Sequence, residues 1–302
     1  MKIFITGGTG FIGSALARRL AGEGHEVRIL SRSAPRSGEW PDSIQFVPGD
    51  PTQAGAWQER VRDCEGVFNL VGAPVFHRWT PRYKALIRTS RIQSTARVVE
   101  AMASSAGGPR WLISASAVGI YGFHEHETLA EDSAPGSDFL ARVCVEWESA
   151  ANEARAYGIR VIRARFGIVL GREGGALRAM LPAFRMGVGG RLGNGRQWFP
   201  WIHGDDVVHA LRFLMMSPHA EGPFNLCAPG SATNAEFTRA LGTALHRPTL
   251  MSAPGFLLRG LGGEFGENLL HGQRAMPVRL QEAGFVFQFP TLIGALRDVL
   301  PT

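Results

Sequence analysis

Cysteine is scarce in this chain: Cys64, Cys144 and Cys227 among 302 residues, an odd number without a Cys-x-x-Cys pair. That excludes a disulfide framework and a zinc-finger-like site, and no metal is expected. Long apolar runs are also missing, and the opening one is cut at once by Gly7 and Gly8. Neither a signal peptide nor a membrane span is expected, which points to a soluble, cytoplasmic protein with no membrane partner. Like charges never run to five in a row, and the net charge of +6 comes mostly from dispersed arginines. Without a basic stripe interleaved with aromatics, no nucleic-acid partner is expected. Internal repeats and low-complexity tracts are absent as well.

What is present is an ordinary hydrophobic fraction of 45% and enough length for one large α/β domain plus a smaller lobe. The first thirteen residues are the most informative. A short apolar strand, residues 2–6, runs into Gly7-Gly8-Thr9-Gly10-Phe11-Ile12-Gly13, and a helical pattern follows through Leu20. Strand, glycine turn and helix in that order predict a dinucleotide-binding turn. A pyrophosphate approaches backbone N–H groups only where no Cβ intervenes, and a helix N-terminus presents unpaired N–H groups to it. Gly7, Thr9, Gly10, Phe11, Ile12 and Gly13 are therefore candidate cofactor contacts.

Further strand-like runs fall at residues 26–30, 44–47, 66–71, 111–114 and 160–168, and helices are predicted near 81–102, 137–157 and 205–216. The alternation predicts a Rossmann-like, doubly wound parallel sheet of α/β class, with a smaller C-terminal α+β substrate lobe. We expect a cofactor-binding domain over residues 1–170, with 198–230 returning to it, and a lobe over 171–302.

In such a fold the end of the second strand meets the adenosine ribose, where an acid selects NAD and an arginine accommodates the extra phosphate of NADP. Here the chain reads Arg28-Ile29-Leu30-Ser31-Arg32-Ser33, with no acid. Ser31 and Arg32 thus predict NADP(H), and a charge-assisted bond of about 1.5–3 kcal/mol corresponds to a preference of roughly ten- to a hundredfold. A merely solvated Arg32 is the alternative. Asp50 suits either an adenine contact or ordinary turn chemistry after Gly49. Leu70, Val71 and Gly72, ending the fourth strand, are expected beneath the cofactor.

These stretches, together with Ser90-Arg91-Ile92, residues 114–122, residues 167–171, Pro200-Trp201-Ile202-His203 with Asp206, and Gly284-Phe285, resemble the extended short-chain dehydrogenase/reductase superfamily. More closely, they resemble its atypical "epimerase family protein" branch, which carries a C-terminal domain of unknown function. The resemblance implies a dinucleotide pocket, with Arg91, Ser114, Gly167 and Val169 near the cofactor. It also implies structural roles for His203 and Asp206, and Arg196 as a contact to an anionic substrate or part of a plain surface loop.

Superfamily members that do chemistry use a Ser, a Tyr-x-x-x-Lys pair and an upstream Asn. Ser116 stands at the Ser, but Leu140 and Cys144 fall where Tyr and Lys belong, and Arg91 replaces the Asn. Leucine transfers no proton and a neutral thiol supplies no positive field. General acid/base help is typically worth about 10²- to 10⁴-fold. Tyr121 is the first substitute acid to consider. Cys144 is the second, against its plainer role as a small apolar helix residue. The expectation is an oxidoreductase or nucleotide-sugar epimerase acting on an unidentified small molecule, with a homodimer compatible. The alternative is a regulatory or scaffold protein that kept the cofactor pocket and lost catalysis.

Overall fold

A computed structural model describes residues 1–33, 40–103, 107–172 and 174–300. Its centre is one parallel sheet of seven strands: β1 (Lys2–Thr6), β2 (Glu26–Ser31), β3 (Ile44–Pro48), β4 (Gly66–Asn69), β5 (Trp111–Ala117), β6 (Arg160–Phe166) and β7 (Gly222–Leu226). The spatial order β7-β6-β5-β4-β1-β2-β3 reverses direction between β1 and β4. This is the doubly wound Rossmann-like arrangement, and the switch point is the crevice where such sheets bind ligands.

Alternation along the strands supplies both faces. Ile3 and Ile5 pack with Leu16 and Leu20 of α1 (Phe11–Gly22) on one face. Phe4, Val67 and Leu112 pack with Val98 of α2 (Pro81–Ala103) and Ala151 of α3 (Phe139–Asn152) on the other. Each of these fully buried Leu, Ile or Phe side chains contributes about 1.5–3 kcal/mol. Because both faces are covered, the central strands read as nearly continuous apolar runs.

The seventh strand carries no clear sequence signal, because it opens with Gly222-Pro223. Proline is tolerated there since β7 lies at the sheet edge, with β6 as its one partner strand among the described residues. The run expected at 160–168 is divided: Gly167 interrupts it, and Ile168–Leu170 pairs instead with Trp201–His203. A Cβ on Gly167 would lie 2.6 Å from the Pro200 carbonyl oxygen, so this hand-over between sheets needs glycine.

The C-terminal segments gather around a separate core formed by Leu177 and Phe184 of α4 (Gly175–Arg185), Trp201, Phe237 of α6 (Asn234–Leu245) and Leu296. Between α4 and α6 lies α5 (Gly204–Met216), which packs against α1 on the main sheet. His203 caps α5 by accepting from the Asp205 N–H at 3.1 Å. Asp206, fully buried, accepts from the Gln288 and Phe289 N–H groups at 2.8 and 3.0 Å and pins the chain tail to the sheet domain. Replacing Asp206 with Ala removes the partner of both backbone donors, and we expect a loss of about 3 kcal/mol in denaturant unfolding. A loss below about 0.5 kcal/mol, the range of an ordinary surface change, would contradict this reading.

Candidate functional site

The crevice at the switch point is floored by main chain. Gly7 has φ +71°, and a Cβ there would lie 2.7 Å from the Leu70 carbonyl carbon and 2.8 Å from the Val71 nitrogen. A Cβ on Gly13 would fall 2.2 Å from the Gly7 oxygen. The turn closes with Gly10 N–H donating to Gly7 O at 3.0 Å. Thr9 and Gly10 are exposed, while Phe11 and Ile12 are half-buried. Gly10 provides no side-chain cap, and the first turn of α1 holds no acid. Its N-terminal N–H groups and dipole are thus open to an anion. On the far side the Phe11 ring lies under a glycine stretch: Cβ atoms on Gly171 and Gly174 would come within 2.4 and 2.5 Å of it.

Past β2, the Ser31 hydroxyl donates to Ser33 O at 2.8 Å and shapes the turn that carries the exposed Arg32. Asp50, after β3, accepts from the Thr52 hydroxyl and N–H at 2.7 and 2.8 Å. Those bonds lower its carboxyl pKa, and the Arg32 charge adds to the effect. Arg32 and Asp50 therefore face the same end of the crevice.

At the end of β4, Leu70 and Val71 are half-buried and Gly72 is exposed. Arg91 reaches from α2 beneath this strap and donates to Ala73 O and Ile87 O, both at 3.0 Å. Its guanidinium lies 5.2 Å from the Trp147 ring centroid, and burial lowers its pKa. Ser90 accepts the Ala73 N–H at 3.0 Å, so both main-chain groups of Ala73 are tied to α2. Beyond β6, Gly167 is half-buried against Pro200 and Leu226, and half-buried Val169 lies beside Gly175 and Phe11.

The other expected residues are not brought to this crevice. Successive side chains of a strand alternate between faces, so Ser114 and Ser116 both turn towards α2 and α3. Ser114, 1% exposed, accepts from Asn69 Nδ2 at 3.2 Å within a buried set that includes Thr6 and Thr95. Ser116 donates to Glu148 Oε1 at 2.7 Å. Tyr121 has no exposed surface; its hydroxyl donates to Asn225 Oδ1 at 2.7 Å and accepts from Arg165 Nη1 at 2.8 Å. Burial pushes its pKa up to about 12. Cys144 packs with Val118 and Tyr121, and burial pushes its thiol up to about 12. Where the superfamily carries its Tyr, half-buried Leu140 sits in an apolar cluster with Trp79 and Val143.

Sequence reasoning missed Arg274. Its short strand, Arg274–Ala275, pairs with Thr128–Leu129, and its guanidinium lies 4.8 Å from the Trp198 ring centroid. Among the described residues it has no carboxylate partner, and its Nε is buried without a hydrogen bond. Neighbouring Gln197 uses its Nε2 on Leu192 O and Leu269 O, leaving Oε1 buried and unpaired. The unmatched cation suits an anionic group, and the unpaired Gln197 oxygen calls for a hydrogen-bond donor. Arg196, on the adjacent loop, is exposed. The only sequence signal for Arg274 was a lone arginine in a mixed tail.

The family model described as the NAD dependent epimerase/dehydratase family matches residues 3–227. The chain belongs to this family. A second model, a domain of unknown function, matches residues 253–299. Within the family, the chain is 39% identical over 302 residues to the epimerase family protein SDR39U1 homolog, chloroplastic, of Arabidopsis thaliana, covering 99% of this chain and 87% of that one. It is 42% identical over 300 residues to an epimerase family protein of Mycobacterium bovis, covering 97% and 96%. The crystal structure of human epimerase family protein SDR39U1 (isoform 2) with NADPH superposes with a TM-score of 0.86 at 32% identity, covering 99% of both chains. No helix among the described residues is long and apolar enough to cross a membrane.

Burial makes a prediction for the thiols. It pushes Cys64 up to about 11, Cys144 up to about 12, and Cys227 upward as well. A raised pKa depletes the nucleophilic thiolate, to roughly one part in a thousand or less at pH 8. Native protein treated with iodoacetamide at pH 8 should show no alkylation by mass spectrometry, and unfolded protein should show all three sites modified. Rapid native labelling of Cys144 would make it a reactive group after all.

Proposed function

We propose that this chain binds NADP(H) at the switch-point crevice and holds an anionic small molecule in the C-terminal lobe, as an oxidoreductase or epimerase-like enzyme of atypical type. The observation that carries the reading is the glycine turn against Leu70 and Val71, with an uncapped α1 above it and Arg32 rather than an acid after β2. The human relative crystallised with NADPH supports the same choice of cofactor.

In this reading Gly7, Thr9, Gly10, Phe11, Ile12 and Gly13 receive the diphosphate, Ser31 and Arg32 the extra phosphate, and Asp50 the adenine side. Leu70, Val71, Gly72, Gly167 and Val169 contact the cofactor through main chain. Arg91 acts by holding the Gly72–Ala73 strap in place and by supplying positive charge. When bound, the nicotinamide supplies or accepts a hydride. Arg274, with Arg196 at the loop, attracts the anionic substrate, and Leu140 helps to exclude water. Ser116, Tyr121 and Cys144 hold the framework behind the site. Residues 1–170 with 198–230 form the cofactor-binding unit, as the place of β7 in the sheet supports. The unpaired, buried cysteines fit a reducing compartment.

Titration of NADPH and NADH by fluorescence tests the cofactor reading. Arg32→Ala should weaken NADPH roughly ten- to a hundredfold and leave NADH nearly unchanged. Equal wild-type affinities would overturn it.

A second reading, a regulatory or scaffold protein that retains NADP(H), is favoured by the locked hydroxyl of Tyr121. Turnover with NADPH and a panel of carbonyl compounds and nucleotide sugars separates the two. If the protein is an enzyme as proposed, Arg274→Ala should raise KM and Tyr121→Phe should leave kcat within about twofold, since its hydroxyl is spent on Asn225 and Arg165. A loss in Tyr121→Phe of the 10²-fold order expected for a removed acid would return Tyr121 to catalysis. No turnover across the panel with NADPH still bound would favour the regulator.

A further inference from the structure

Behind the sheet, away from the cofactor crevice, lies a cavity of about 310 Å³ beside α3 and β6, lined in part by Glu148, Arg163 and Arg165. It has room for roughly ten waters. Arg163 sits four residues before Gly167 on the strand, about 13 Å away at the usual rise.

The charges in this cavity do not match. Glu148 is saturated: Oε1 accepts from Ser116 Oγ and Arg165 Nε, each at 2.7 Å, and Oε2 accepts from Arg165 Nη2 at 2.9 Å. Arg163 has only the remainder, a 3.3 Å bond from Nη1 to the same Oε2. Its Nε is buried with no partner, although the side chain is just 19% exposed. The other groups acting on it are mostly positive: Arg165, Arg155 and Arg279. Arg155 is paired with Glu221, and Arg279 donates to the carbonyls of Pro223 and Glu221. A buried cation is costly unless an anion meets it.

The rest of the lining defines what would meet it. Ile120, Pro135 and Val145 make an apolar wall, and Ser149 and Asn152 on α3 add polar groups at the rim. A guanidinium fork matches a carboxylate with two parallel bonds, and an apolar wall suits a short hydrocarbon or ring. We propose that this cavity is a second ligand site, separate from the cofactor crevice, that binds a small organic carboxylate with its charge on Arg163 and its apolar part against Ile120, Pro135 and Val145.

Benzoate is the probe, titrated in thermal unfolding of the full chain with saturating NADPH, against chloride at equal ionic strength and against inorganic phosphate. At tenfold over its Kd, benzoate should raise the midpoint by about 3 °C. Arg163→Gln keeps the Glu148–Arg165 pair, and Ser149→Trp fills the cavity from an exposed helix position. Both should abolish the shift while binding NADPH as wild type does. Arg274→Ala, which removes the other unpaired cation, should keep the shift. The proposal is overturned if benzoate gives no shift, if phosphate alone gives one, or if the shift survives Arg163→Gln and Ser149→Trp and disappears in Arg274→Ala.

Discussion

Main chain pressed against main chain is the constraint on which this molecule depends. The turn after β1 approaches the end of β4 so closely that a single added carbon on Gly7 or Gly13 overlaps backbone atoms. Backbone has no rotamer with which to yield, so the turn has one shape. That shape aims α1, opens its N-terminus and sets the floor of the crevice. The strap at Gly72 and Ala73, anchored to α2 by Ser90 and Arg91, forms the adjoining edge.

A second constraint acts at the other end of the crevice. Strand alternation sends the hydroxyls of β5 away from the open side, into hydrogen bonds with Asn69 and Glu148. Those bonds join β1, β4 and β5 to the helices behind them, and Arg165 extends the polar set to Tyr121 and the Glu131 carbonyl. Buried polar groups that are fully paired rigidify a core. They are also unavailable for chemistry: a hydroxyl that already donates to one neighbour and accepts from another is a poor shuttle for a substrate proton. The polar residues that look catalytic along the chain are thus spent on hydrogen bonds in the core.

Much of this was legible in the chain. The strand starts for β1, β2, β3, β4, β5 and β6 follow from apolar runs, and the long helices from three- and four-residue spacing. The glycine turn and the missing acid after β2 mark the cofactor end of the crevice. Less legible were β7, whose Gly222-Pro223 opening reads as a breaker until it is known to be an edge, and Arg274, marked only by the partners it lacks among the described residues. Neither property is local.

What the sequence determined by itself were features that depend on neighbours along the chain: the strand-turn-helix, the alternating α/β pattern and the absence of the Tyr-Lys pair at Leu140 and Cys144. Only the tertiary structure decided which polar groups face the crevice and which are spent in the core. Serine at position 114 or 116 has the same chemistry on either face of a strand, and an arginine is a pillar or a binding site according to what reaches it. Arg165 meets a carboxylate two ways, whereas Arg163 and Arg274 are left with unmet hydrogen bonds. Pairing between residues far apart in the chain is a property of the folded packing, so no local pattern encodes it.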